Sequence, residues 1–322
     1  MLAYPPLAWR EAFRLLRRDT FDVVNAHFAI PTGPASLPVA RLAGLPHVLS
    51  IHGGDIYDPS KRLSPHRWTI LRRVVSVVLS ASNEVVAQSE NTRANAYEYY
   101  SYDGEICLIP LGVRIPVRPV VSRRSLRLPE DRFILIAVGR LVPRKGIDRL
   151  LRIMRHFVSM PIHLLVVGAG PELEPLKRLS HEIGVAEQVE FTGWVSDERK
   201  WELLRVADAY VSTSLHEGFG LVFIEAMAMG LPVVALDHGG QMDFLKSGET
   251  GFVAPAGDDS AVIQAISSLM SRPVEARRMG EENITRAENY RAERCANRYE
   301  ELFERVIDAS RGSRTTIQAR RS

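Results

Sequence analysis

Long apolar runs are missing from this chain. None of its 322 residues fall in a stretch of the ~18–20 consecutive hydrophobic residues that a membrane-spanning helix needs. Cysteine is nearly absent. Cys107 and Cys295 lie far apart in unlike contexts, which fits incidental thiols in a reducing cytosol and excludes a cysteine-based metal site. The N-terminal MLAYPPLAWREAFRLLRR lacks the basic-then-apolar order and small-residue cleavage site of a secretory signal. A strong charge of one sign is also missing. The net charge of +3 is too small and too dispersed for a nucleic-acid-binding protein. The basic pairs Arg17–Arg18, Arg72–Arg73, Arg123–Arg124 and Arg320–Arg321 fit either solvated faces or peripheral contact with anionic lipid.

What is present is ordinary globular composition, 46% hydrophobic and 25% charged, at a length that favours two domains. In the first half an amphipathic helix over about 7–18 leads into the strand FDVVNA. A helix over about 32–42, the strand HVLSIHG, a helix over about 66–79, the strand NEVVAQS, a helix from Glu90 and the strand EICLIPL follow. Such alternation predicts a parallel sheet covered on both faces, whose ligands collect beyond the carboxyl ends of the strands. His52 stands at one such end, followed by Gly53, Gly54 and Asp55. The glycines permit close backbone approach, and the imidazole fits either a structural or a ligand-facing role. His27, at the end of the preceding strand, reads as structural.

The segment PLGVRIPVRPVVSRRSLRLPE, rich in proline and arginine, reads as a linker. A second alternating run follows, from FILIAVG to the strand LPVVAL and the segment ETGFVAP. Within it, Arg140 and Lys145 flank the strand-end loop RLVPRKG. This is either a basic surface loop or a pair of cations aimed at an anion, a guanidinium fork and a point charge. Gly168 and Gly170 form a Gly-x-Gly turn, too little to argue for a nicotinamide cofactor. The most informative stretch is LHEGFGLVFIEAMAMGLP, residues 215–232. A strand, a glycine turn and an apolar helix here present free backbone N–H groups and a helix dipole to an anion. Glu217 precedes that helix and Glu225 falls in its second turn. Both fit solvated residues or carboxylates that accept from sugar or ribose hydroxyls.

VGRLVPRKG, VVGAGPE, FTGWV, HEGFGLVFIEAMAMGLPVVA and GETGFVAP, in this order and spacing, resemble the retaining glycosyltransferases of family 4 (group 1). VLSIHGGD, VVAQS and IPLGV extend the resemblance into the first half, so that it covers about 21–305. The resemblance implies an α/β GT-B fold, two Rossmann-like domains facing across a cleft. It divides the chain into an acceptor-side domain over 1–117, a linker over 118–131 and a donor-binding domain over 132–290. A C-terminal helix over 291–309 would pack back toward the first domain, ahead of a disordered tail over 310–322.

By the same resemblance, Arg140 and Lys145 bind the diphosphate of a nucleotide-sugar donor, with Gly139 beside them. Glu217 contacts the transferred sugar, and the backbone at Gly218, Phe219, Gly220 and Leu221 lies close to sugar and phosphate. Glu225 takes the ribose hydroxyls, the loop Gly193–Trp194–Val195 packs the base, and His52 meets the sugar from the other domain. Transfer would retain anomeric configuration without a cofactor or a bound metal; no Asp-x-Asp motif ends a strand. The acceptor would be a glycan or lipid-linked molecule of envelope or polysaccharide synthesis. The setting would be cytoplasmic, either free or in peripheral contact with the inner face of the membrane, as the basic pairs leave open. Two departures stand out. The first domain lacks the family's opening strand and glycine-rich loop, which leaves open a truncated, partner-dependent or non-catalytic relative that binds nucleotide sugars. The acidic residue after Gly239–Gly240 is Asp243, with a shorter arm than usual.

Overall fold

A computed structural model describes residues 4–319, and the chain divides into two units. Unit 1 takes the residues up to Gly112 and those from Glu293 on; unit 2 takes Val113–Ala292.

Unit 1 opens with α1 (Tyr4–Leu16) and alternates through β1 (Val24–His27), α2 (Thr32–Ala43), β2 (His47–Ile51), α3 (Thr69–Ala81), β3 (Glu84–Ala87), α4 (Glu90–Tyr100) and β4 (Ile106–Leu108). The four strands are parallel and lie in chain order, β1-β2-β3-β4. All five residues of β2 are buried, as expected of an inner strand covered on both faces. β1 is an edge strand that leaves Asn25 and His27 exposed. α4 begins at Ser89, whose side chain accepts from the Thr92 N–H and so satisfies one of the free donors of the first turn. The third helix starts later than its apolar pattern suggests. Pro65 sets a 3-10 turn over Pro65–Arg67, and regular helix resumes only at Thr69.

Unit 2 holds β5 (Phe133–Val138), α5 (Ile147–Met154), β6 (Ile162–Val167), α6 (Leu173–Glu182), β7 (Val189–Gly193), α7 (Asp197–Val206), β8 (Ala209–Val211), α8 (Leu221–Ala228), β9 (Val233–Leu236), β10 (Gly251–Ala254), α9 (Asp259–Ser271) and α10 (Pro273–Ala287). Its six parallel strands run β10-β9-β8-β5-β6-β7. The chain winds outward from β5 to β7, then returns to place β8 on the other side of β5. That reversal is the doubly wound pattern, and the crevice it opens lies between the carboxyl ends of β5 and β8. Leu135, Phe157, Val166, Val211 and Val234 are wholly buried in the core beneath. α8 is too short to be stable alone. Burial of Phe223, Ile224 and Met227, at about 1.5–3 kcal/mol each, holds it in place.

The ends of unit 2 meet. The Val113 N–H donates to the Tyr290 carbonyl at 2.8 Å, and the Ala292 N–H donates to the Val113 carbonyl at 3.0 Å. The chain then returns to unit 1 as α11 (Ala292–Ala319), where Leu302 and Val306 pack with Val48, Val86 and Ile109. α11 runs through most of the tail over 310–322 for which the sequence predicts disorder. Once a helix is nucleated and anchored, each further residue adds a hydrogen bond at small cost, so a polar composition does not end it. Residues 320–322 lie outside the described residues. Among the described residues no helix is long and apolar enough to cross a membrane.

Candidate functional site

The crevice between β5 and β8 is a pocket lined by Gly139, Arg140, Lys145, Tyr210 and Ser212. Lys145 is placed there by local chemistry. Pro143 starts a 3-10 turn over Pro143–Lys145 that closes on Gly146 at φ +63°. A Cβ at Gly146 would sit 2.3 Å from the Thr213 carbonyl, so only glycine lets this loop lie against the end of β8. Lys145 Nζ donates to Glu217 Oε1, and Arg144 Nη1 stands 3.6 Å from Glu217 Oε2 while donating to the His216 carbonyl at 2.8 Å. The Glu217 and Lys145 side chains are only 9% and 14% exposed. Arg140 is exposed and pairs with no acid among the described residues, so its guanidinium is available to an anion. The structure thus brings together Gly139, Arg140, Lys145 and Glu217. It adds Arg144, which the sequence reading passed over although it lies in the same loop.

The glycine turn after Glu217 is held from behind. The Gly240 N–H donates to the Glu217 carbonyl at 2.9 Å, and a Cβ on Gly240 would sit 2.0 Å from the Gly218 carbonyl. Phe219 is buried against Phe244 and Tyr290, with ring centroids 5.5 and 5.8 Å away. Gly220 caps α8 at φ +94°. Among the described residues no acceptor faces the backbone N–H groups of Phe219, Gly220 and Leu221. A rigid row of unpaired amides at a helix N-terminus is a site for negative charge.

Glu225, in the second turn of α8, meets a cation that the sequence reading missed. Lys200 Nζ on α7 lies 2.7 Å from Glu225 Oε1 and 3.2 Å from Asp197. Burial pushes the Glu225 carboxyl above the usual carboxylate range, and Lys200 opposes the shift. Its Oε2 is buried without a hydrogen-bond partner among the described residues. A buried carboxylate oxygen left unpaired costs free energy that an incoming hydroxyl recovers. Lys200 carried a signal, since it stands three residues after Asp197 in α7. Which face of that helix turns toward α8 is a tertiary fact.

Gly193, Trp194 and Val195 connect β7 to α7. The Gly168 N–H donates to the Gly193 carbonyl at 2.9 Å, and the Leu141 N–H donates to the Ala169 carbonyl at 3.0 Å. The ends of β5, β6 and β7 are therefore tied in sequence, and Gly168 is needed there because a Cβ would meet the Gly139 carbonyl at 2.0 Å. Trp194 is 79% exposed beside them.

In unit 1, His52 follows β2 as expected, but it is not alone. His52 Nδ1 lies 2.9 Å from Gln88 Oε1, and His52 Nε2 lies 2.9 Å from His27 Nδ1. Burial lowers the pKa of both imidazoles; Gln88 opposes the shift at His52, and the neighbouring His52 adds to it at His27. His27, structural by sequence alone, is joined to the same network. Asp55 is buried and accepts from the Ala29 N–H at 2.6 Å and the His52 N–H at 2.8 Å, and burial pushes its carboxyl up to about 6.

Comparison with known proteins places these features. The model for glycosyl transferases group 1 matches residues 121–286, and that for glycosyltransferase family 4 matches residues 1–115. A GDP-mannose-dependent alpha-(1-6)-phosphatidylinositol monomannoside mannosyltransferase of Mycolicibacterium smegmatis is 31% identical over 87% of this chain and 75% of that protein. TuaC of Bacillus subtilis, assigned to teichuronic acid biosynthesis, is 29% identical over 70% of this chain, a match that takes in 55% of the Bacillus protein. Among solved structures, sucrose-phosphate synthase from Thermosynechococcus elongatus superposes with a TM-score of 0.81 at 26% identity, covering 95% of this chain and 78% of that one. Anabaena HepE, solved with UDP, shares the fold at 20% identity and a TM-score of 0.79, over 93% of this chain and 82% of its own. With its two parallel-sheet units and its matches across both, the chain belongs to the group 1, family 4 glycosyltransferases of GT-B fold.

Proposed function

We propose that this glycosyltransferase moves a sugar from a nucleoside diphosphate donor to a hydroxyl of a glycan or lipid-linked acceptor in envelope or polysaccharide synthesis, with retention of anomeric configuration. The observation that carries the donor half is the convergence of Arg140, Lys145 and Glu217 on the crevice where unit 2's sheet reverses. A departing nucleoside diphosphate develops about two negative charges; fixed cations and unpaired amides stabilise that charge as it forms, with no need to reorganise solvent. In this reading Arg140 and Lys145 hold the diphosphate in the part a divalent cation plays elsewhere, and the amides at 219–221 assist them. Glu217, held by Lys145 and Arg144, orients the transferred sugar. Glu225 takes the ribose hydroxyls through its unpaired oxygen, and the 193–195 loop flanks the base. The relatives named for teichuronic acid biosynthesis and for mannosyl transfer to phosphatidylinositol monomannoside support an envelope role.

Purified protein melting at a higher temperature with a uridine, guanosine or adenosine diphosphate is the expected result; no rise with any of the three refutes the donor assignment. A second reading is a nucleotide-sugar-binding relative that needs a partner for turnover. Sugar transfer by the purified 322-residue chain removes it. Peripheral membrane contact fits α1, where Arg10, Phe13 and Arg14 line one groove with Arg17 and Arg18, and Leu7 and Leu15 are exposed. Flotation with phosphatidylglycerol vesicles, absent with neutral ones, is the matching test.

A further inference from the structure

The polar groups around His52 form one directional chain. Gln88 Nε2 faces the His52 carbonyl, which can only accept, so the amide nitrogen must point there and Oε1 must point at His52 Nδ1. An amide oxygen accepts; His52 Nδ1 therefore carries the hydrogen and its Nε2 carries the lone pair. That lone pair faces His27 Nδ1 at 2.9 Å, so His27 Nδ1 is the donor and His27 Nε2 keeps the free lone pair. Behind it, Tyr299 donates to Ser50 Oγ at 3.1 Å, and Ser50 Oγ donates to Asn25 Oδ1 at 3.4 Å. Asn25 Nδ2 then faces His27 Nε2 at 3.2 Å. Every ring hydrogen is fixed by its neighbour, starting from a single amide.

Both nitrogens of His52 are thus occupied within the protein. The exposed ring is that of His27, and its Nε2 is held only by the longer contact from Asn25, itself exposed. Phe28 packs its ring 4.6 Å from His52 while adopting φ +75°, a left-handed conformation that costs a bulky residue about 1–2 kcal/mol. We propose that His27 supplies the ring nitrogen that meets a ligand hydroxyl in unit 1, and that His52 stands behind it as the positioning residue that fixes its tautomer. The ligand is a sugar or polyol hydroxyl, an identification that rests on the transferase reading. Its O–H replaces the Asn25 amide hydrogen on His27 Nε2. The groups that face this pair are Gln88, Asn25, Tyr299 and the Asp55 carboxyl, whose oxygens are held by the backbone N–H groups of Ala29 and His52.

Diethyl pyrocarbonate acylates an accessible, unprotonated imidazole nitrogen, and peptide mass spectrometry of the full-length protein at pH 7 reads each histidine separately. The expected result is His27 modified at a rate within a few-fold of His181, an exposed reference on α6, with His52 at least tenfold slower. In His27→Ala the Nε2 of His52 is freed, and its modification rises at least tenfold. Methyl α-mannopyranoside or myo-inositol, added as hydroxyl probes, slows His27 and leaves His181 unchanged. His52 reacting as fast as His27 in the unaltered protein overturns the proposal, and so does modification of His27 that neither probe slows. Nucleoside diphosphate binding, read in parallel by melting, tests the transferase reading in unit 2 and is independent of both outcomes.

Discussion

Replacing Lys145 with alanine removes the ammonium that contacts Glu217 and lines the crevice with Arg140. A hydrogen bond to a charged group contributes about 1.5–3 kcal/mol, so the diphosphate loses on the order of 10- to 150-fold in affinity. The effect is large enough to read by melting. At a ligand concentration of about 100 times Kd, binding stabilises the protein by about 2.7 kcal/mol, and a hundredfold weaker site leaves about 0.4 kcal/mol at the same concentration. For a unit the size of 113–292, each kcal/mol moves Tm by about 2–4 °C, so a shift of about 5–10 °C shrinks to about 1 °C. The substitution also strands Glu217, which is 9% exposed, but Arg144 remains 3.6 Å away and limits the loss of intrinsic stability to about 1–3 kcal/mol. Melting each protein with UDP, GDP and ADP against its own ligand-free baseline separates the two effects, and nucleoside monophosphates serve as a control that lacks the second phosphate. Lys145→Ala retaining the full diphosphate shift refutes the reasoning.

Glu225→Ala should abolish the preference for a ribonucleoside diphosphate over its 2′,3′-dideoxy counterpart, a preference of about tenfold or more in the unaltered protein by calorimetry; equal discrimination in both removes the ribose assignment. Gly240→Ala places a methyl group 2.0 Å from the Gly218 carbonyl and should cost about 3 kcal/mol together with nucleotide binding. Gly248→Ala has open space and only its φ of +83° to contend with, so a loss near 1–2 kcal/mol with binding intact is expected in chemical denaturation. In unit 1, two buried groups pull stability in opposite directions with pH. Asp55 has a folded pKa raised to about 6, so its contribution is present at low pH and is lost as pH rises through 6. His47 is held neutral by burial with its pKa lowered to about 4, so its contribution is present above about 6.5 and is lost as pH falls through 4. Asp55→Asn removes the first and uncovers the second: denaturation between pH 6.5 and 4 should show about 2 kcal/mol more acid destabilisation than the unaltered protein. Parallel pH profiles for the two proteins contradict this.

The strand-end residues were legible because glycine marks them. Gly139, Gly146, Gly218 and Gly220 punctuate apolar runs, so Lys145 and Glu217 could be placed at the mouth of a parallel sheet before their contact was known. Lys200 and Arg144 were not legible as partners. Each is one basic residue among many, and only the turn of a helix or a 3-10 segment directs it at a carboxylate. The His27–His52 pair lies 25 residues apart in sequence. It arises because β1 and β2 pair in parallel with His27 opposite Ser50, which puts the two strand ends side by side. The position of each histidine was readable; the register was not. α11 fails in the other direction, since composition argued for a disordered tail where an anchored helix carries on.

Because the Tyr290 and Val113 backbones are hydrogen-bonded neighbours, unit 2 is a loop closed at its own base, a cassette whose entry and exit share one doorway. A gene fragment encoding 113–292 therefore has its ends pre-joined. Unit 1 is assembled from segments on either side of unit 2, so on the ribosome α11 arrives only after the whole of unit 2 has been made.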